Sequence, residues 1–201
     1  MKRLNFDNLL LRAKVWRLSW GKREKYRSYI RAQIDRTYPK RRGPLMPRTE
    51  LFVDLLTNKG LLNQYSKVLC IGCRNGHEVD YFHGKGVRNV VGIDLISDRP
   101  DILVMDMHKM DFQDDTFDLV YSSHSLEHAF DAATVANEMT RVAKDGAVVA
   151  IEVPVSYPTT AADRIDFGTA ESLLTLFGPS LNDVIWQEWQ PSFSERNENG
   201  T

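Results

Sequence analysis

Five short apolar runs punctuate the middle of the chain, at 67–72, 87–93, 102–105, 117–121 and 147–153. Each is rich in Val, Ile and Leu and too short for a helix, so each reads as a buried strand. Between and around them the apolar spacing changes to the helical period. Residues 49–59 (Leu51, Phe52, Leu55, Leu56), 76–84 (Val79, Phe82) and 131–143 (Val135, Met139, Val142) predict amphipathic helices, with Gly60, Gly84-Lys85-Gly86 and Asp145-Gly146 as stops. Upstream, 22–37 predicts a better helix. Tyr26, Tyr29, Ile30, Gln33 and Ile34 fall on one face with Lys and Arg opposite, and Pro39 ends it. A looser helical pattern occupies 5–19, interrupted at Gly21. Downstream, 167–177 predicts a helix and 183–190 (Val184, Ile185, Trp186, Trp189) a sixth strand.

Continuous apolar strands alternating with helices predict a Rossmann-like, doubly wound α/β fold. Its mostly parallel sheet is covered on both faces. In such sheets ligands bind beyond the C-terminal ends of the strands. The residues that close the strands, Gly72, Asp94, Asp106, Ser122 and Pro154, are therefore the candidates for chemistry. The first closure is the most informative. Val68-Leu-Cys-Ile-Gly72 turns through Cys73-Arg74-Asn75-Gly76 straight into a helix. A turn of this kind aims backbone N–H groups and the positive helix end at one spot, and glycine lets a ligand approach the backbone.

Composition changes the picture in two places. The chain has 201 residues, 42% hydrophobic and 26% charged. That suits one globular domain with an appendage. No apolar run approaches the roughly 18–20 residues that span a bilayer, and the N-terminus shows no signal-peptide core. The net charge of −1 hides an asymmetry: residues 1–50 hold 15 Lys/Arg against four acids, a net of +11, and the remainder carries −12. A basic segment attached to an acidic body is expected, serving as a lid, as a solvated face packed on that body, or as a grip on an anionic substrate, nucleic acid or membrane surface. The only cysteines, Cys70 and Cys73, are too few for a zinc site, and Cys70 lies inside a strand rather than at a helix start, so a redox role is disfavoured. The chain reads as cytoplasmic. His77, His83 and His108 form no metal-ligand spacing with nearby acids, and no metal is expected.

Asp94 closes the second strand 22 residues beyond Gly72, the place for a carboxylate that accepts both hydroxyls of a ribose. Asp106 closes the third and is followed by Met107, an acid for an exocyclic amine beside an apolar wall for a ring. Either could alone be a turn or cap residue. In series with the glycine turn they indicate an adenosine-type ligand. A nicotinamide fingerprint needs glycine where Arg74 stands, and the P-loop pattern is absent, so a ligand without phosphate fits better.

With these motifs in order, the chain resembles the class I S-adenosylmethionine-dependent methyltransferases, in particular the small-molecule branch called type 11. The resemblance covers roughly residues 48–190. It rests on Val68 to Gly76, on Val91-Gly-Ile-Asp94, on Asp106-Met107, on Phe117-Asp-Leu-Val-Tyr-Ser-Ser-His-Ser-Leu-Glu-His128, and on Arg141-Val-Ala-Lys-Asp-Gly146 leading to Pro154. It implies S-adenosylmethionine as cofactor and S-adenosylhomocysteine as product. The matching cofactor-binding positions are Cys70, Gly72, Cys73, Arg74, Gly76, Asp94, Leu95, Asp106, Met107 and Ser122. Two positions depart from the pattern. The family usually has an acid at Cys70, which orders groups near the cofactor's amino end, and glycine at Arg74, which here could either pair with the cofactor carboxylate or narrow the loop. A seventh strand is also expected in the family, and the polar residues 191–201 do not resemble one.

Methyl transfer from a sulfonium needs mainly proximity and orientation, plus a base for a hydroxyl acceptor. His124, just past the fourth strand, is the candidate base. His128, one helical turn on, reads as structural. Pro154 and Tyr157 join His124 as candidate acceptor-pocket residues. The Asn/Asp-Pro-Pro-aromatic and Pro-Cys motifs of base methylation are absent at Ser122-Ser-His-Ser125. The expectation is a methyltransferase for a small-molecule or glycan-like acceptor, anionic ones included, with nucleic acid a less favoured partner and a homo-oligomer allowed. The alternatives are an RNA- or protein-directed enzyme using the basic arm, and a non-catalytic relative serving as an interaction protein. The expected organisation is a basic helical extension at 1–47, the methyltransferase domain at 48–190 and a polar tail at 191–201.

Overall fold

The computed structural model describes residues 13, 16–18, 20–40, 43–155, 158–160, 163–185 and 187. Five strands form one sheet: β1 (Lys67–Ile71), β2 (Asn89–Asp94), β3 (Ile102–Val104), β4 (Phe117–Ser123) and β5 (Ala143–Glu152). Every pairing is parallel, in the order β3-β2-β1-β4-β5. The chain reverses direction across the sheet between β1 and β4, so the crevice beyond their C-terminal ends is the expected binding place. The α-helices around the sheet include α1 (Glu24–Thr37), α2 (Pro47–Asn58), α3 (His77–Gly84), α4 (Ala132–Val142) and α5 (Ala170–Thr175).

Strand alternation divides the core. Leu69 and Ile71 of β1 pack with Phe117, Val120 and the apolar stripe of α4 (Val135, Ala136, Met139, Val142). Val68 and Cys70 face the other way, with Leu119, Tyr121, Val53 and Leu56 of α2 and Val79 and Phe82 of α3. A third, smaller cluster joins Tyr29, Ile30 and Ile34 of α1 to Ile96, just beyond β2. The face predicted for α1 is the one buried, and it lies over the C-terminal end of the sheet.

Gly92 shows how closely the layers meet. A Cβ there would lie 2.5 Å from Ile102 Cδ1 and 2.6 Å from Cys73 Sγ. Gly92→Ala is expected to lower stability by about 1–3 kcal/mol through overpacking, read as an earlier urea midpoint with an unchanged slope. An unchanged midpoint would show that this layer yields easily.

Several boundaries differ from expectation. β4 continues through Ser122 and Ser123, which pair with Ile151 and Glu152, so Ser122 lies inside the sheet instead of closing it. β5 begins directly after α4, because Ala143 pairs with Phe117 before the register shifts and Gly146 turns at φ 73°. The helix expected at 167–177 is confined to α5, since Gly168 has φ 66° and Thr169 caps the helix by accepting from Ser172 N. Residues 183–185 form no strand, and Val184 and Ile185 stand exposed. Trp186, Trp189, the 191–201 tail and most of the 5–19 helix lie outside the described residues.

Candidate functional site

The turn after β1 is arched by three left-handed residues, Gly72 (φ 78°), Arg74 (φ 38°) and Gly76 (φ 72°). Arg74 thus adopts, at a cost, the conformation that glycine takes freely. The turn is fastened to the end of β2: Gly72 N donates to Ile93 O at 2.8 Å, and Arg74 N donates to Asp94 Oδ2 at 2.9 Å. Ile96 N donates to the other Asp94 oxygen at 3.1 Å. Each carboxylate oxygen keeps a lone pair for a further donor. Burial pushes the Asp94 carboxyl up to about 6, against the hydrogen bonds from Ile96 and Arg74.

One cavity gathers much of what the sequence singled out. Gly72, Arg74, Asp94, Leu95, Met107 and His124 all line it. The walls also include groups that sequence reasoning missed: Glu78, Met105, Ser123, Ser125 and Glu127, with Tyr29, Gln33, Arg36 and Thr37 of α1 across the opening. The segments carrying the latter were legible only as a basic helix.

Several of the expected residues lie outside the walls. Cys70 points to the opposite face of β1, and Cys73 turns its Sγ back to Ile93 O at 3.6 Å. Burial pushes both thiols well up, so they are protonated and inert. Gly76 packs under the Arg99 guanidinium, 2.9 Å from where a Cβ would stand. Ser122 is fully buried in the sheet, and Pro154 lies beyond the cavity. Tyr157 falls outside the described residues.

Asp106 is occupied from both sides. Tyr26 OH of α1 donates to Oδ2 at 2.5 Å, and His108 donates to Oδ1 from its backbone N at 3.0 Å. His108 Nε2 accepts from Phe130 N at 3.0 Å, which leaves the ring proton on Nδ1, 2.8 Å from Asp106 Oδ1. Burial opposes ionisation of Asp106, but these bonds outweigh it and hold its carboxyl below the usual range. Met105 and Met107, on either side of it, face the cavity.

His124 stands at the other end with φ 49°, its N–H bonded to Glu152 O at 2.8 Å. Its Nδ1 lies 3.5 Å from Glu127 Oε1 and its Nε2 3.9 Å from Glu152 Oε1. Glu127 is 2% exposed, and its Oε2 has no hydrogen-bond partner. His128 is clasped instead: Arg36 Nη1 lies 2.6 Å from its Nε2, while Arg36 Nη2 bonds Asp163 at 2.7 Å. Among the described residues no three His, Cys, Asp or Glu side chains gather as a metal site, and no helix is long and apolar enough to cross a membrane.

Residues 69–151 match the model of the methyltransferase domain family, type 11. No curated protein matches the chain. Among solved structures, the chain is similar to the [4+2]-cyclase SpnF, at TM-score 0.57 and 16% identity, covering 78% of this chain and 69% of that one. It is similar to an S-adenosylmethionine-dependent methyltransferase from Mesorhizobium loti (TM-score 0.54, 15% identity, 73% and 88% covered). A third is a SAM-dependent methyltransferase from Aquifex aeolicus (TM-score 0.51, 16% identity, 73% and 86% covered). Identities this low speak for the fold alone, and the cyclase shows that the fold hosts other chemistry. Residues 69–151 thus match the methyltransferase domain family, and they lie in the five-stranded parallel sheet of a class I methyltransferase fold.

Proposed function

We propose that the chain binds S-adenosylmethionine and transfers its methyl group to a small-molecule or glycan-like acceptor. The observation that carries this reading is Asp94, held at the end of β2 by Arg74 N and Ile96 N with acceptor capacity left over, in one cavity with Gly72 and His124. Asp94 would take the ribose hydroxyls, and Leu95, Met105 and Met107 would cover the adenine. An amine bonding Asp106 would share it with Tyr26. The cofactor supplies an already activated methyl, so the protein's part is to align the acceptor and exclude water. For a hydroxyl acceptor, His124 takes the proton. The wall that α1 builds across the opening supports a small acceptor over a polymer. It also fits the basic 1–47 segment as a lid on the 48–190 domain. Two free, buried thiols support a cytoplasmic location.

Calorimetric titration with S-adenosylmethionine and S-adenosylhomocysteine tests the reading, followed by a panel of hydroxyl acceptors. Micromolar cofactor binding is expected. Folded protein that binds neither ligand at millimolar concentration would overturn it, and tight, salt-sensitive RNA binding would redirect the acceptor search.

The Asp94 shift adds a pH signature. Ribose hydroxyls bond the ionised carboxylate, which the free protein holds only above about pH 6. Affinity for S-adenosylhomocysteine should be level above pH 7 and about tenfold weaker at pH 5, one decade for each unit below that value. Stability of the free protein runs the other way. The folded state binds this proton more tightly than the unfolded chain, so the contribution is full below the ordinary value of 3.8 and lost above about 6. Asp94→Asn should flatten the binding profile. A profile that keeps its slope in that variant assigns it to another group.

A further inference from the structure

Glu78 lies in the first turn of α3, directly after the arched turn, and is among the residues that line the cavity. Its Oε2 is buried with no hydrogen-bond partner. Burial pushes its carboxyl up, its own backbone N–H and the Arg74 charge pull it down, and the like charge of Asp94 pushes it up again. A carboxylate oxygen left this way costs free energy that a donor arriving with a ligand would recover. Arg74 lines the same cavity from the turn itself. No ion pair within 4.0 Å joins Arg74 to Glu78 among the described residues, so an acid and a base line one cavity without direct contact between their charged groups. A zwitterion complements that arrangement. The other acid of the cavity with a partnerless oxygen, Glu127, stands with its second oxygen against His124 and His128 instead.

We propose that Glu78 and Arg74 together hold the α-amino acid end of the bound cofactor, Glu78 bonding the ammonium group and Arg74 the carboxylate. The proposal rests on the methyltransferase reading. It makes α3, rather than β1, the source of the acid at this end, because position 70 carries a thiol aimed at the opposite face of the sheet.

The test compares two probes by calorimetry, S-adenosylhomocysteine and 5′-methylthioadenosine, which keeps the nucleoside and lacks the amino acid. Glu78→Gln should weaken S-adenosylhomocysteine at least tenfold and leave methylthioadenosine within twofold of the wild-type value. Arg74→Gln should behave the same way, and serves if the first variant does not fold. Either variant binding S-adenosylhomocysteine as the wild type does overturns the proposal, as does equal weakening of both probes, which would mark a general effect on the turn. Wild-type protein that binds methylthioadenosine as tightly as S-adenosylhomocysteine overturns the proposal but leaves the methyltransferase reading standing. Wild-type protein that binds neither overturns both.

Discussion

Asp94→Ala is expected to weaken S-adenosylhomocysteine binding about a hundredfold, which corresponds to about 2.7 kcal/mol. Two charge-assisted hydrogen bonds to the ligand would disappear, each worth about 1.5–3 kcal/mol. The substitution also releases the backbone donors of Arg74 and Ile96, which Asp94 now satisfies at 2.9 and 3.1 Å. The first of these braces the arched turn, so part of the loss comes through a looser turn. Asp94→Asn separates the contributions. Its amide oxygen can still accept from one of the two donors, and its affinity should fall between the wild type and the alanine variant. Calorimetry at pH 7.5, with circular dichroism to verify folding, decides the matter. Full affinity in Asp94→Ala would remove the observation on which the functional proposal stands.

The second large effect concerns α1. Ile34 is fully buried, with Tyr29, Ile30 and Ile96 around it. Ile34→Asp would place an unpaired carboxylate in that cluster, at a cost of about 3 kcal/mol or more. The helix is a local unit, fastened mainly by this cluster, by Tyr26 on Asp106 and by Arg36 on Asp163. It is therefore expected to detach while the sheet stays folded. Trypsin should then cut at Lys25, Arg27, Arg31 or Arg36 at least tenfold faster than in the wild type. Detachment also removes the wall formed by Tyr29, Gln33, Arg36 and Thr37. Equal tryptic protection of the two proteins would show that α1 does not depend on this cluster.

Tyr26 and Asp106 illustrate where sequence reading stops. The buried face of α1 followed from a 3.6-residue period, and Asp106 from its place at the end of an apolar run. That these two residues, 80 positions apart, would bond each other had no local signal. The same holds for Ser122. A polar residue after an apolar run reads as a strand end, yet pairing with Ile151 carries β4 two residues further. Glu78 and Glu127 sit on helical turns where an acid is ordinarily solvated. Only the layers packed around them leave an oxygen of each without a partner.

The sequence alone determined the parallel α/β sheet, the glycine turn after its first strand and the acid closing its second. These are consequences of period, run length and backbone permissiveness, which are local properties of the chain. The tertiary structure decided which of those residues share a cavity. It turned Cys70 to the far face of β1, engaged Asp106 with Tyr26 and His108, laid α1 across the opening and left Glu78 and Arg74 lining one cavity without direct contact between their charged groups. Such outcomes depend on which side of a strand meets which helix and on partners distant in sequence, and these are settled only when the layers pack.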